Sequence, residues 1–188
     1  MRDPSPTITP VLVAELLAEG ELLPVYVHVI EHPDARVLVD TGMTELHPAV
    51  ADMDPRLLPL STQADFDLAG IDVIINTHLH FDHCGGNHLF TGRPIYVQRQ
   101  ELDDARSEDD YTIREWVEAP GVQYVPVDGA LELLPGLQSA SAEQLRAFPS
   151  KRFPGDHLPR TWTSEESLHE SLHRRWLSPE DEHGQFGL

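Results

Sequence analysis

Along the first 138 residues the apolar positions fall into short runs of changing period, which predicts strands alternating with helices. In residues 24–30, Val25, Val27 and Val29 share one side of an extended chain, the period-2 mark of a strand. Glu31-His32-Pro33-Asp34 has turn chemistry, and residues 36–40 read as the returning strand. Asp40-Thr41-Gly42 then ends that strand in a polar loop, and a weak helix is expected within residues 45–52. Residues 71–77 differ: Ile71, Val73, Ile74 and Ile75 form a near-continuous apolar run, as in a strand covered on both faces. Residues 95–98 give another short strand, followed by helix-like stretches over 100–106 and 110–118, the second stopped by Pro120-Gly121. Residues 122–127 and 130–134 read as strands paired across Asp128-Gly129. Strands mixed with helices, one strand wholly buried, predict a layered α/β sandwich.

The pattern changes near residue 138. Twenty-one Val and Ile residues occur up to Gln138 and none after it, so residues 139–188 are not expected to supply central strands. The expected organisation is therefore a layered portion over residues 1–138 and an atypical tail over 139–188, mostly loop with one helix. In that tail Thr163-Ser164-Glu165-Glu166 reads as a capping box, and Leu168, Leu172 and Trp176 form an apolar stripe closed by Pro179. That stripe predicts a helix over 164–177.

Charge narrows the partners. The formal net charge is −19, and nearly all of it lies in the first portion. Such a surface repels nucleic acid and anionic membrane, and suits small neutral substrates or cations. A lone cysteine forms no intramolecular disulfide, no apolar run reaches 18 residues, and the chain opens without a signal-peptide pattern. Together these predict a soluble, cytoplasmic protein with neither a nucleic-acid nor a membrane partner.

The candidate chemistry follows the buried strand, in Thr77-His78-Leu79-His80-Phe81-Asp82-His83-Cys84-Gly85-Gly86. Three imidazoles and a carboxylate within six residues form a donor set suited to Zn²⁺ and related divalent ions. His78 and His80 are two apart, so in an extended segment both point to one side and could share an ion. Asp82 and His83 are adjacent, and where the chain curls toward a helix they could face a second ion. Gly85-Gly86 lets the backbone turn and approach closely. Cys84 reads as a small packing residue rather than a nucleophile.

This string resembles the signature of the metallo-β-lactamase superfamily. Val37-Leu38-Val39-Asp40-Thr41-Gly42-Met43, the stretch from Asn76 to Asn87, Pro94-Ile95-Tyr96-Val97-Gln98-Arg99-Gln100-Glu101 and Leu134-Pro135-Gly136-Leu137-Gln138 resemble its N-acyl-homoserine lactonase branch. The likeness covers roughly residues 22–138. It implies an αββα sandwich of which the N-terminal half is complete here. It further implies that His78 and His80 bind a first zinc, that Asp82 and His83 bind a second, and that Asp40 orients the ligand loop. The implied activity is hydrolysis of a neutral lactone or ester by a metal-bound hydroxide, with Asp82 passing a proton to the leaving alkoxide.

The likeness stops where the family completes its site with a Pro-Gly-His histidine, a bridging aspartate and a final histidine. Residues 139–145 hold no histidine, and the nearest echo is Phe153-Pro154-Gly155-Asp156-His157. His169 and His173 lie four apart on the expected tail helix, where incidental surface histidines are the simpler reading. The tail thus reads as a divergent, truncated or frame-altered end, and the chain as a poor catalyst. Two functions stand: a lactone hydrolase, or a non-catalytic remnant that holds metal weakly.

Overall fold

The computed structural model describes residues 6–18 and 20–139. The chain divides into two compact units, Met1–Val127 and Asp128–Leu188. The expected tail helix and the candidates Asp156, His157, His169 and His173 lie outside the described residues.

The first unit is built on one mixed sheet. Strands β1 (Thr7–Ala18) and β2 (Glu21–His32) form a long antiparallel hairpin, and β3 (Ala35–Val39) returns antiparallel to β2. A 3₁₀ turn, Pro48–Met53, occupies the place of the expected weak helix, with His47 Nδ1 accepting from the Ala49 N–H at its start. The two-residue β4 (Arg56–Leu57) pairs with β1. Strand β5 (Val73–Ile75) leads into the short helix α1 (Phe81–Cys84); then follow β6 (Pro94–Gln98), α2 (Arg99–Ser107), α3 (Arg114–Val117) and β7 (Gln123–Val127). The spatial order is β4-β1-β2-β3-β5-β6-β7. Pairing is antiparallel through β3 and parallel from β3 onward.

Burial follows the apolar pattern. Val37, Leu38 and Val39 of β3 are all buried, as are Ile74 and Ile75 of β5. An uninterrupted apolar run is what a strand with no solvent face requires. Helix α2 turns Leu102 and Ala105 onto Leu79, Cys84, Val97 and Val117. Among the described residues no helix is long and apolar enough to cross a membrane.

Two features depart from the sequence expectation. Strand β1 was not foreseen, and its register with β2 shifts between Leu12 and Ala14, leaving Val13 as the extra residue of a bulge. That bulge does structural work at a distance: the Val13 carbonyl accepts the Leu58 N–H at 2.8 Å, and its side chain fills the space beside Gly42. Gly42 has φ +71°, and a Cβ there would lie 2.6 Å from Val13 Cγ2, so both conformation and contact require glycine. The second departure is a correction of pairing. The strand expected at 122–127 does not pair with that at 130–134; β7 lies parallel to β6. In the second unit β8 (Leu131–Leu134) pairs instead with β9 (Leu137–Ser139). The turn there is Pro135-Gly136, with Gly136 at φ +80°, so the proline–glycine pair supplies the reversal expected of Asp128-Gly129.

The topology places two loops together. β3 and β5 are parallel and in register, Val39 opposite Ile75, so Asp40 and the Asn76–Thr77 segment leave neighbouring strands at the same carboxyl edge. In open α/β sheets ligands bind outside the carboxyl ends of the strands. Ile74 is fully buried in this region, whereas Leu46 is 65% exposed. Ile74→Ala is expected to cost about 2–5 kcal/mol in urea denaturation, and Leu46→Ala to stay within about 0.5 kcal/mol of wild type.

Candidate metal centre

Asp40 organises the site. It has φ +61°, a left-handed conformation that aspartate tolerates better than most residues. Its backbone N–H bonds to the Ile75 carbonyl at 2.8 Å, continuing the parallel pairing by one step. Its carboxylate is turned across the end of β5. Oδ1 accepts the Thr77 N–H at 2.8 Å, and Oδ2 accepts the Thr77 hydroxyl at 2.7 Å and lies 2.8 Å from His83 Nδ1. Burial would push this carboxyl up, but His83 and the Thr77 hydrogen bonds outweigh it and hold it below its ordinary value.

The string then runs in the order its composition suggests. His80, itself extended, caps the start of α1, its carbonyl accepting the N–H groups of His83 and Cys84 at 3.0 and 3.1 Å. The imidazoles come together: ring centroids of His78 and His80 are 4.7 Å apart, and those of His78 and His83 are 4.0 Å apart. Asp82 Oδ2 lies 3.3 Å from His83 Nε2. The loop is closed from behind by Thr41, whose N–H bonds to the His83 carbonyl at 2.8 Å, and by Gly86, whose N–H bonds to the Gly42 carbonyl at 2.9 Å. A Cβ on Gly86 would sit 2.5 Å from the Thr41 carbonyl oxygen, which explains the glycine at this crossing.

The electrostatics match the geometry. Burial drives the His83 imidazole down, yet the flanking Asp82 and Asp40 carboxylates overcome it and raise its pKa well above the usual value. Asp82 is the converse: burial raises it, and His83 and His80 outweigh burial and lower it. A buried cluster of imidazoles and carboxylates with its rings already in contact is a donor set that fits divalent ions. Among the described residues, no group of three or more His, Cys, Asp or Glu side chains is arranged to hold one ion.

Several supporting residues escaped the sequence reading. Glu101, on α2, accepts the Leu79 N–H at 2.7 Å and the Tyr111 hydroxyl on the same oxygen, so it grips the backbone between His78 and His80. Burial pushes its carboxyl up against the pull of those hydrogen bonds. The Tyr111 ring stands 4.8 Å from that of His80. Behind His83, Thr41 donates to Asn87 Oδ1 at 2.9 Å, and Asn87 donates to Asn76 Oδ1 at 2.8 Å and to the Tyr124 hydroxyl at 3.1 Å. Asn76, Thr77, Asn87 and Glu101 all fall within the stretches that carry the family resemblance, which was their only signal, and it assigned none of them a role. Cys84 is fully buried, donates to the Leu79 carbonyl, and has its thiol pushed up by burial, so it packs as expected.

Residues 20–173 match the metallo-beta-lactamase superfamily. An N-acyl homoserine lactonase of a Bacillus species is 34% identical over 142 residues, covering 65% of this chain and 55% of that protein. The chain thus spans about half the length of the curated relatives it matches. A solved quorum-quenching N-acyl homoserine lactone lactonase superposes with TM-score 0.57 at 31% identity, over 73% of this chain and 62% of that one. A solved N-acyl homoserine lactone hydrolase with the product N-hexanoyl-L-homoserine at its catalytic metal center gives TM-score 0.56 at 29% identity, over 73% and 65%.

Removing the Asp40 carboxylate strands the His83 Nδ1 group, the Thr77 amide and the Thr77 hydroxyl at once. Asp40→Ala is expected to destabilise the protein by about 3–5 kcal/mol, read from urea denaturation followed by circular dichroism.

Proposed function

The chain belongs to the metallo-beta-lactamase superfamily, and from that premise we propose that it is a metal-dependent hydrolase that opens the ring of N-acyl homoserine lactones. One observation carries the reading: His78, His80, Asp82 and His83 gather at the carboxyl edge of β3 and β5, with Asp40 fixed behind them. In this reading His78 and His80 hold one divalent ion, and Asp82 and His83 hold a second beside it. Zinc suits both pairs, because imidazole nitrogen and carboxylate oxygen are its ordinary ligands. Bound there, the ions supply a Lewis acid and a nucleophile made from water at neutral pH.

The chain's own residues do the remaining work. Asp82, its carboxyl held below the ordinary value, enters the reaction ionised and therefore acts first as a proton acceptor. It takes the proton released as water adds to the lactone carbonyl, and returns it to the ring oxygen as the carbon–oxygen bond breaks. One water is consumed, and the product is the ring-opened hydroxy acid. Asp40 keeps His83 aligned throughout, and Glu101 keeps the backbone at Leu79 in place. A neutral lactone meets no repulsion from a chain of net charge −19. The product-bound relative supports a small-molecule ligand of this class.

A second reading, a non-catalytic remnant with weak metal affinity, draws on the absence of a three-donor group among the described residues. Metal analysis and turnover by the purified chain separate the two. The hydrolase reading expects about two ions per chain, and lactone opening that is lost on chelation and restored by Zn²⁺. Near-zero metal with no turnover leaves the remnant. Given turnover, Asp82→Asn is expected to lower the rate by about 10²–10⁴-fold; full activity in that variant would remove Asp82 from the mechanism.

A further inference from the structure

Thr77 is the last residue before the histidine string, and its hydroxyl has one proton to give. Oγ1 lies 2.7 Å from Asp40 Oδ2 and 3.0 Å from His78 Nδ1. The Asp40 carboxylate has a neighbour on each oxygen: the Thr77 N–H on Oδ1, and His83 Nδ1 on Oδ2. An ionised carboxylate can only accept. The Thr77 proton therefore points at Asp40, and the lone pairs of Oγ1 are what remains to face His78. A lone pair needs an N–H opposite it, so Nδ1 is the protonated nitrogen of His78 and Nε2 carries its lone pair.

We propose that Thr77 is a positioning residue whose hydroxyl fixes the tautomer of His78, so that the single carboxylate of Asp40 selects the donor nitrogen of two histidines. For His83 the selection is direct, through Nδ1; for His78 it passes through the Thr77 hydroxyl. The inference rests on the metal-centre reading and adds to it a shared anchor: His78 belongs to one donor pair and His83 to the other. A histidine whose distal nitrogen is hydrogen-bonded to a fixed acceptor is held in one tautomer and one ring orientation, which raises its worth as a ligand. Here the acceptor is a hydroxyl that is itself oriented by the carboxylate. Nothing else in the described surroundings of Oγ1 competes for its proton as strongly as an ionised group at 2.7 Å.

Thr77→Val and Thr77→Ser isolate this hydroxyl. Thr77 is exposed, and its backbone N–H keeps the bond to Asp40 Oδ1 in both variants, so the loop anchor survives. The first readout is long-range ¹⁵N–¹H NMR of the imidazoles, in metal-free protein in mildly alkaline buffer and again after adding Zn²⁺ alone. Wild type and Thr77→Ser are expected to show His78 protonated at Nδ1, and Thr77→Val to lose that preference while His83 keeps its Nδ1–H. The second readout is Zn²⁺ affinity by chelator competition: Thr77→Val is expected to weaken binding by about 10–100-fold, and Thr77→Ser to remain within about 3-fold of wild type. A wild-type His78 protonated at Nε2 overturns the proposal. So does a Thr77→Val protein with unchanged tautomer and affinity, or a serine variant as weak as the valine one. If wild type takes up no Zn²⁺, the metal-centre reading fails, and the metal-free tautomer of His78 still decides the role of Thr77.

Discussion

The hydrogen bonds converging on the Asp40 carboxylate are the constraint on which the rest of the site depends. Asp40 follows the last residue of β3 and adopts φ +61°, a conformation that costs a non-glycine residue on the order of 1–3 kcal/mol. Its surroundings over-determine it. The amide is held by Ile75, the carboxylate takes both Thr77 donors and contacts His83, and the following Thr41 amide is tied to the His83 carbonyl. An Asp40 in the β region would extend the ladder and send its carboxylate along the strand's alternation. The left-handed turn instead carries the carboxylate across the end of the neighbouring parallel strand, where the string begins. The strain and the chemistry are thus located in one residue.

His83 shows how far this bracing extends. Its ring contacts Asp40 on one side and Asp82 on the other, and its carbonyl receives the Thr41 amide. The amide chain Thr41–Asn87–Asn76 lies directly behind, with Asn87 fully buried and hydrogen-bonded through both ends of its side chain. Buried polar groups are costly when unpaired and rigidifying when every member is satisfied. Here the satisfied network lies between the sheet and the string, so the stiffness of the core is passed to the imidazoles. The close crossing at Gly86 belongs to the same device, because it lets the string lie against the Thr41 backbone without a side chain between them, while Gly42 leaves room for the Val13 side chain of β1.

What the sequence disclosed follows from the range of each signal. The string is local: six consecutive residues carry the four candidate donors, and the structure brings their side chains together. Strands β2, β3, β5 and β6 were legible because their periods are regular. Strand β1 was not, since the bulge at Val13 breaks its alternation and Pro10 interrupts it near the start. The partner of β8 was misjudged because Asp128-Gly129 and Pro135-Gly136 are both good turns, and only tertiary pairing selects between them. Glu101 and Tyr111 were illegible for a different reason: their meaning lies in a contact to Leu79, 22 residues before Glu101. Asp40 was legible as a support only through a family likeness, and the structure supplies its physical content.

The anchors along the string also explain how a short segment carrying four candidate donors is held in place before any ligand is present. Ordering a free backbone residue costs about 1–2 kcal/mol, so an unanchored six-residue loop would have to recover that cost when metal binds. The anchors at Thr77, Leu79, His83 and Gly86 settle most of it during folding, before any ligand arrives. The gain is in pre-organisation, not in ligand number. A catalytic zinc ordinarily has three protein ligands, and among the described residues no three donors are arranged around one ion. The alignment of the string, fixed by contacts within residues 40–111, is therefore a separate quantity from the number of donors gathered around an ion.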